Sequence, residues 1–363
     1  MDETDQEDRH WALLVRLARL RYIEGLMQTE IVERLKSEPD LGLNPSKCSR
    51  LLREVEDKKL VHHEIVVPKQ QELEERMHKA SGRAIRKIVV VPNGIAKSGK
   101  NIRNIAPATA RVVIDALRII DKDRITIAMS CGETLRAISD FLVERFESDE
   151  ALREHFSKKV LKIVPTTLWP DDNISAEFHH SLVSALAIRL RKEVDDSARI
   201  EAIASALPKN FYELSSKERK EFRSRYLVDD TLDDIRCADV FVIGLGLTTD
   251  PTYKRLAREI GVSMSETEEK KYPAEVCYVP VSREGKPRAN VETIIVGLSV
   301  SELREAARYP KRFVIAHAGG VKREKVNGLL NDPVCNVLVC DMGVARGYLA
   351  QATPRVAAGS EIM

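Results

Sequence analysis

Asp239-Val240-Phe241-Val242-Ile243-Gly244-Leu245-Gly246 is the most strand-like run in the chain. A continuous apolar run without polar alternation, closed by glycine, predicts a strand buried on both faces. Shorter runs of the same kind lie at 88–91, 124–129, 160–164, 276–280, 291–296, 312–316 and 337–340. Helical patterns separate them at 108–120, 133–146, 175–192, 252–260 and 301–307. Buried strands alternating with helices predict an α/β fold, a mainly parallel, doubly wound sheet with helices on each face. Ligands in such sheets sit outside the carboxyl ends of the strands.

Three segments at those ends are glycine-rich: Ser130-Cys131-Gly132-Glu133-Thr134, Gly244-Leu245-Gly246, and Ala318-Gly319-Gly320-Val321-Lys322-Arg323. Glycine lets the backbone turn and present N–H groups, and a helix N-terminus favours an anion. A tight turn alone accounts for any one of them. Three on one sheet edge point to a shared phosphate-accepting cleft. Glu133 opposes an anion at its helix start, so Arg136, Lys322 or Arg323 would have to offset it.

The chain before residue 83 follows another pattern. Helical periodicity over 9–25 offers Leu13, Leu14, Leu17, Leu20 and Ile23 to a core, and Gln28-Thr29-Glu30 opens a short helix carrying Ile31, Val32 and Leu35. Asn44-Pro45 then supplies a cap and a first-turn proline. In the helix that follows, Cys48, Leu51, Leu52 and Val55 recur at i, i+3, i+4 and i+7 and predict one buried stripe. The opposite face carries Ser46, Arg50 and Arg53, flanked by Lys47 and Ser49, with no carboxylate before Glu54. Hydroxyls and cations on one helical face suit phosphates and base edges in a major groove. A solvated surface is the plainer alternative for such a face. Residues 60–67 read as a strand, the stem of a small wing, and 36–40 as a lengthened turn. The expected division is a helix-turn-helix domain at 1–67, a polar linker and coupling helix at 68–82, and an α/β effector and oligomerisation domain at 83–363.

The 363-residue chain carries a net charge of only +2, so nucleic-acid affinity must be local to the headpiece. Six cysteines without a CxxC pair point to free thiols in a reducing cytoplasm. His62-His63 and His179-His180 lack metal-ligand spacing, so no metal and no cofactor are expected. No apolar run reaches membrane-span length, and no membrane partner is expected.

The chain resembles the SorC/DeoR-type bacterial transcriptional regulators, which respond to sugars. The resemblance is carried by Tyr22 through Ile31 with Ser46 through Leu52, by Ala128 through Leu135, by Asp239 through Gly246, and by Ala318-Gly319-Gly320 through Val337–Asp341 to Ala345-Arg346. It implies an effector domain related in fold to sugar-phosphate isomerases and CoA transferases. Its partners would be double-stranded operator DNA, a sugar-phosphate effector and further copies of the chain, as a dimer or tetramer. Gly132 and Thr134 match the family's first loop, Gly244 and Gly246 the second, and Gly319, Gly320 and Arg323 the third, where lysine is usual at Arg323. Thr166-Thr167 stand where the family has paired glycines, and Pro273-Ala274-Glu275-Val276-Cys277 stands where it has a Gly-Asp-Ile segment. The expected effector residues are thus Gly132, Glu133, Thr134, Thr166, Thr167, Gly244, Gly246, Glu275, Gly319, Gly320 and Arg323. Two other readings compete. One is a sugar-phosphate isomerase or transferase drawing its general base from Glu133, Glu275 or Asp341; the other is a constitutive DNA-binding regulator with a remodelled effector site.

Overall fold

The structure, a computed structural model, describes residues 3–23, 26–36, 41–58, 68–94, 101–169, 180–193, 199–202, 207–208, 210–226 and 228–351. The chain divides into two compact units, Met1–Val66 and Val67–Met363.

The smaller unit is helical. Glu3–Ala18 continues through a wider turn, Arg19–Ile23, and is followed by helices Gln28–Arg34 and Pro45–Asp57. The last starts where the sequence places it: the Asn44 side chain accepts from Lys47 N at 2.8 Å, and Pro45 occupies the first turn. Cys48, Leu51, Leu52 and Val55 are all buried, against Leu14, Leu17, Leu20, Ile31 and Leu35. Each fully buried aliphatic side chain contributes about 1.5–3 kcal/mol, which holds three short helices that would be marginal alone. The expected wing strand and most of the lengthened turn lie outside the described residues.

Among the described residues the larger unit has eleven strands: β1 Lys87–Val91, β2 Arg124–Met129, β3 Val160–Pro165, β4 Thr167–Leu168, β5 Arg199–Ala202, β6 Val240–Leu247, β7 Ala274–Val276, β8 Val279–Val281, β9 Val296–Gly297, β10 Phe313–Ala318 and β11 Val337–Asp341. The main sheet runs β1-β11-β10-β6-β2-β3-β5, every neighbouring pair parallel. From β2 the chain moves outward to β3 and β5, then returns to the other side of β2 with β6 and continues to β10 and β11. The order therefore reverses between β2 and β6, which makes that gap the topological switch point. Alternate side chains of each strand feed two cores, one per face. Val240, Val242 and Ile315 join the face covered by helices Ile102–Ile119, Glu133–Ser148 and His180–Glu193. Phe241, Ile243 and Ala316 join the other, with Pro68–Ala80, Val228–Arg236, Pro251–Glu259 and Val300–Arg308.

Several elements differ from expectation. The polar helix at 68–80 packs on the larger unit, with Leu73 and Met77 buried in its core and Gln70 Nε2 donating to Val90 O at 2.6 Å. The helix expected from 108 begins at Ile102. Pro107 lies inside it, near enough to the start that only one early hydrogen bond is lost. The strand expected at 276–280 is a hairpin, β7–β8, turning on Cys277 and Tyr278. The strand expected at 291–296 is a short helix, Ala289–Glu292, followed by β9.

The most consequential difference is at Gly244-Leu245-Gly246. This is no strand-to-helix loop. β6 continues through it to Leu247, and its second half pairs antiparallel with β7, Gly246 opposite Glu275.

Candidate functional site

The switch point is built from the ends of β2 and β6. Ser130 N donates to Val242 O at 2.9 Å, and Gly244 N donates to Ser130 Oγ at 3.1 Å, so the two strand ends are tied together. Beyond Ser130 the backbone turns at Gly132, whose φ of 122° with ψ of 169° is open only to glycine, and enters helix Glu133–Ser148.

The glycines of β6 form a floor. On the face shared with Val240 and Val242, Gly244 and Gly246 present no side chain. Two polar residues from elsewhere occupy that room. A Cβ at Gly244 would lie 3.3 Å from Cε1 and Nε2 of His317, its register partner on β10. A Cβ at Gly246 would run into Oε1 of Glu275. His317 and Glu275 thus stand side by side over a bare strand.

The hairpin β7–β8 supplies the far wall. Its two-residue turn puts Cys277 at φ 48° and Tyr278 at φ 66°, the twist such hairpins need and a strained one for side-chain-bearing residues. The turn is held by Tyr278 N donating to Glu275 Oε2 at 2.9 Å, by a short Cys131 Sγ–Tyr278 hydroxyl contact, and by Tyr278 packing on Trp169 with centroids 5.5 Å apart. The Thr166 hydroxyl and the Cys277 thiol share a hydrogen bond.

Electrostatics follow from this packing. Burial lifts the Glu275 carboxyl to about 7, with nearby Asp250 adding to the rise; the Tyr278 N–H and the Lys322 ammonium oppose it. Burial, reinforced by Lys322, lowers His317 to about 3, so the imidazole is neutral at any physiological pH. Burial pushes the thiols of Cys131 and Cys277 up to about 12, which keeps them protonated.

Among the expected effector residues, Gly132, Gly244, Gly246 and Glu275 converge here. Glu133 is exposed and Thr134 half-buried in the first turn of the helix after β2. Thr166 and Thr167 are buried at the end of β3, where Thr167 opposes Gly297 in the β4–β9 ladder. Gly319 and Gly320 are drawn toward Asp341 instead: Asp341 Oδ2 accepts from Gly320 N at 2.6 Å, and Oδ1 from Val344 N at 2.9 Å. Gly319 is also closed off by Ile105, which a Cβ there would meet. The residues after Gly320 form tight turns, Gly320–Val326, rather than opening an α-helix. The side chain of Arg323 lies outside the described residues. His317 and Tyr278 were missed in the sequence. The one available signal for His317 is a histidine inside an otherwise apolar strand, just before Gly319-Gly320.

In the smaller unit, Ser46, Arg50 and Arg53 are exposed on one face of Pro45–Asp57, and Ser49 is half-buried. Lys47 turns toward the preceding loop, its Nζ donating to Leu41 O at 2.6 Å. Among the described residues no ion pair engages Arg50 or Arg53. The described residues contain no His/Cys/Asp/Glu group able to hold a metal, and none of their helices is long and apolar enough to cross a membrane.

The match to known proteins begins where the larger unit does. Residues 67–350 match a family model described as "Putative sugar-binding domain". The chain belongs to that family. Its fold is the one found in SorC/DeoR-type regulators. The full-length sorbitol operon regulator SorC from Klebsiella pneumoniae superposes with a TM-score of 0.65 at 18% identity, over 96% of this chain and 99% of that one. A DeoR family transcriptional regulator from Listeria monocytogenes gives 0.55 at 17%, over 77% and 99%. A transcriptional regulator from Streptococcus pneumoniae TIGR4 gives 0.53 at 15%, over 78% and 97%. No curated protein matches the chain in sequence. In this sugar-binding-domain protein the family match covers Gly244, Gly246, Glu275 and His317 but stops short of the helical unit.

Proposed function

We propose that the chain is a DNA-binding transcriptional regulator, not an enzyme, whose operator affinity is set by a small carbohydrate, a phosphosugar, bound at the β2/β6 switch point. The observation that carries the reading is the arrangement at the switch point: Gly244 and Gly246 on β6, His317 and Glu275 packed over them, Tyr278 held to Glu275, and the start of helix Glu133–Ser148 following β2. Glycines and convergent polar groups are the composition of a site for a polar small molecule. Phosphate would be met by the Gly132–Thr134 turn and the charge of Lys322. Ser46, Arg50 and Arg53, with Ser49 and Lys47 at the margins, would contact the operator.

The isomerase or transferase alternative needs an acid and a base placed on either side of one reacting carbon. Asp341 is committed to backbone N–H groups, and Glu133 is exposed on its helix, which leaves Glu275 alone in the cleft. That arrangement favours binding over turnover. A labelled fragment of the protein's own promoter, titrated with a panel of hexose and pentose phosphates present, tests the reading. Specific binding that shifts with one phosphosugar is expected. Turnover of a phosphosugar, or no specific DNA binding at all, would overturn it.

A further inference from the structure

His317 is 3% exposed, and among the described residues its Nε2 has no hydrogen-bond partner. A buried polar atom left unpaired has given up its hydrogen bonds to water without replacement, which destabilises the fold. The surroundings give no structural reason to accept that cost. The neighbours on the same face are Ile315, on the same strand, and the register partner Val339, both fully buried and apolar. An aliphatic side chain would fill the position without stranding a nitrogen. What distinguishes the position is its other register partner, Gly244, whose missing side chain leaves room for the ring over β6. Two residues further along β6, Glu275 does the same over Gly246.

We propose that His317 is a specificity-determining residue of the effector cleft, its Nε2 hydrogen-bonding an uncharged hydroxyl oxygen of the carbohydrate while the phosphate is held at the turn after β2. The assignment rests on the reading of this cleft as the effector site. The chemistry selects the group. A neutral imidazole nitrogen is a donor in one tautomer and an acceptor in the other, and a hydroxyl can answer either. It brings no charge to a phosphate, and the Lys322 ammonium nearby opposes its protonation. A site whose buried polar group pairs only with a substrate hydroxyl rejects the analogue that lacks it, because the polar group is then stranded again. Nε2 is covered in the structure, so the incoming hydroxyl must displace side chains around it. Hydroxyl recognition is thereby linked to rearrangement at the switch point.

The test compares wild type, His317→Leu and His317→Gln by melting temperature and by calorimetric titration with a panel of hexose and pentose phosphates and with inorganic phosphate. His317→Leu is expected to melt at or above wild type without ligand. Its affinity for the phosphosugar that wild type binds should fall at least tenfold, with inorganic phosphate affinity unchanged and His317→Gln intermediate. Unchanged phosphosugar affinity in both variants would overturn the assignment and leave the effector reading standing. A lower melting temperature in His317→Leu with equal loss of both probes would make His317 a structural residue and overturn it too. Failure of wild type to bind any panel member would overturn the effector reading and the assignment together.

Discussion

Glu275 and Arg50 are the single side chains at which the proposed roles of the two units can be tested. Burial raises the Glu275 carboxyl from its ordinary 4.5 to about 7. A carboxyl with a higher pKa folded than unfolded binds more protons in the folded state between those values. Its contribution to stability is therefore best at low pH, falls as pH rises from about 4.5 toward about 7, and is level above. Glu275→Gln is expected to remove that fall and to stabilise the protein above pH 7, by an amount on the order of 1 kcal/mol because solvent reaches the half-buried group. Denaturant melts of both proteins at pH 5 and pH 8 check the sign. Arg50 is exposed, so Arg50→Ala should leave the melting temperature unchanged and weaken operator binding by about 1–3 kcal/mol if the guanidinium reads a base. Undiminished affinity in anisotropy titrations would remove Pro45–Asp57 from the interface.

At the scale of elements, the buried strands and the headpiece helices were legible because their patterns are local. The i, i+3, i+4, i+7 stripe of Cys48, Leu51, Leu52 and Val55 and the Asn44-Pro45 start need nothing beyond their own segment. Asn44→Ala should cost the smaller unit about 1 kcal/mol, seen as a shift in the urea midpoint of its helical signal, while the transition of the larger unit stays in place. The site was legible only in part. Gly244 and Gly246 stand out in the sequence, but glycine suggests a turn there, whereas the strand runs on and the two glycines make room for His317, 73 positions after Gly244, and Glu275, 29 positions after Gly246. The hairpin was illegible because Cys277-Tyr278 carries none of the Asn-Gly chemistry that announces a two-residue turn. Gly246→Ala tests the strand account. It should drive the Glu275 side chain from its place, cost about 1–3 kcal/mol as overpacking, and weaken the phosphosugar response. A fully stable variant with an intact response would show that the glycine is dispensable.

Across the whole molecule, a helical unit with an arginine-bearing face precedes in the chain an α/β unit with polar side chains packed over glycines at its switch point. We propose the helix Pro68–Ala80 as the coupling element, since it follows the headpiece in the chain while Leu73 and Met77 root it in the larger unit's core. A ligand can shift DNA affinity only by binding the two arrangements of the protein unequally, and the effect must be reciprocal. The most direct measurement is therefore a linkage experiment on the full chain: the dissociation constant for promoter DNA with and without saturating phosphosugar, and that for the phosphosugar with and without DNA. The same factor is expected in both directions, about 5–150-fold, typical of allosteric coupling. Two tight but mutually indifferent binding events would contradict it.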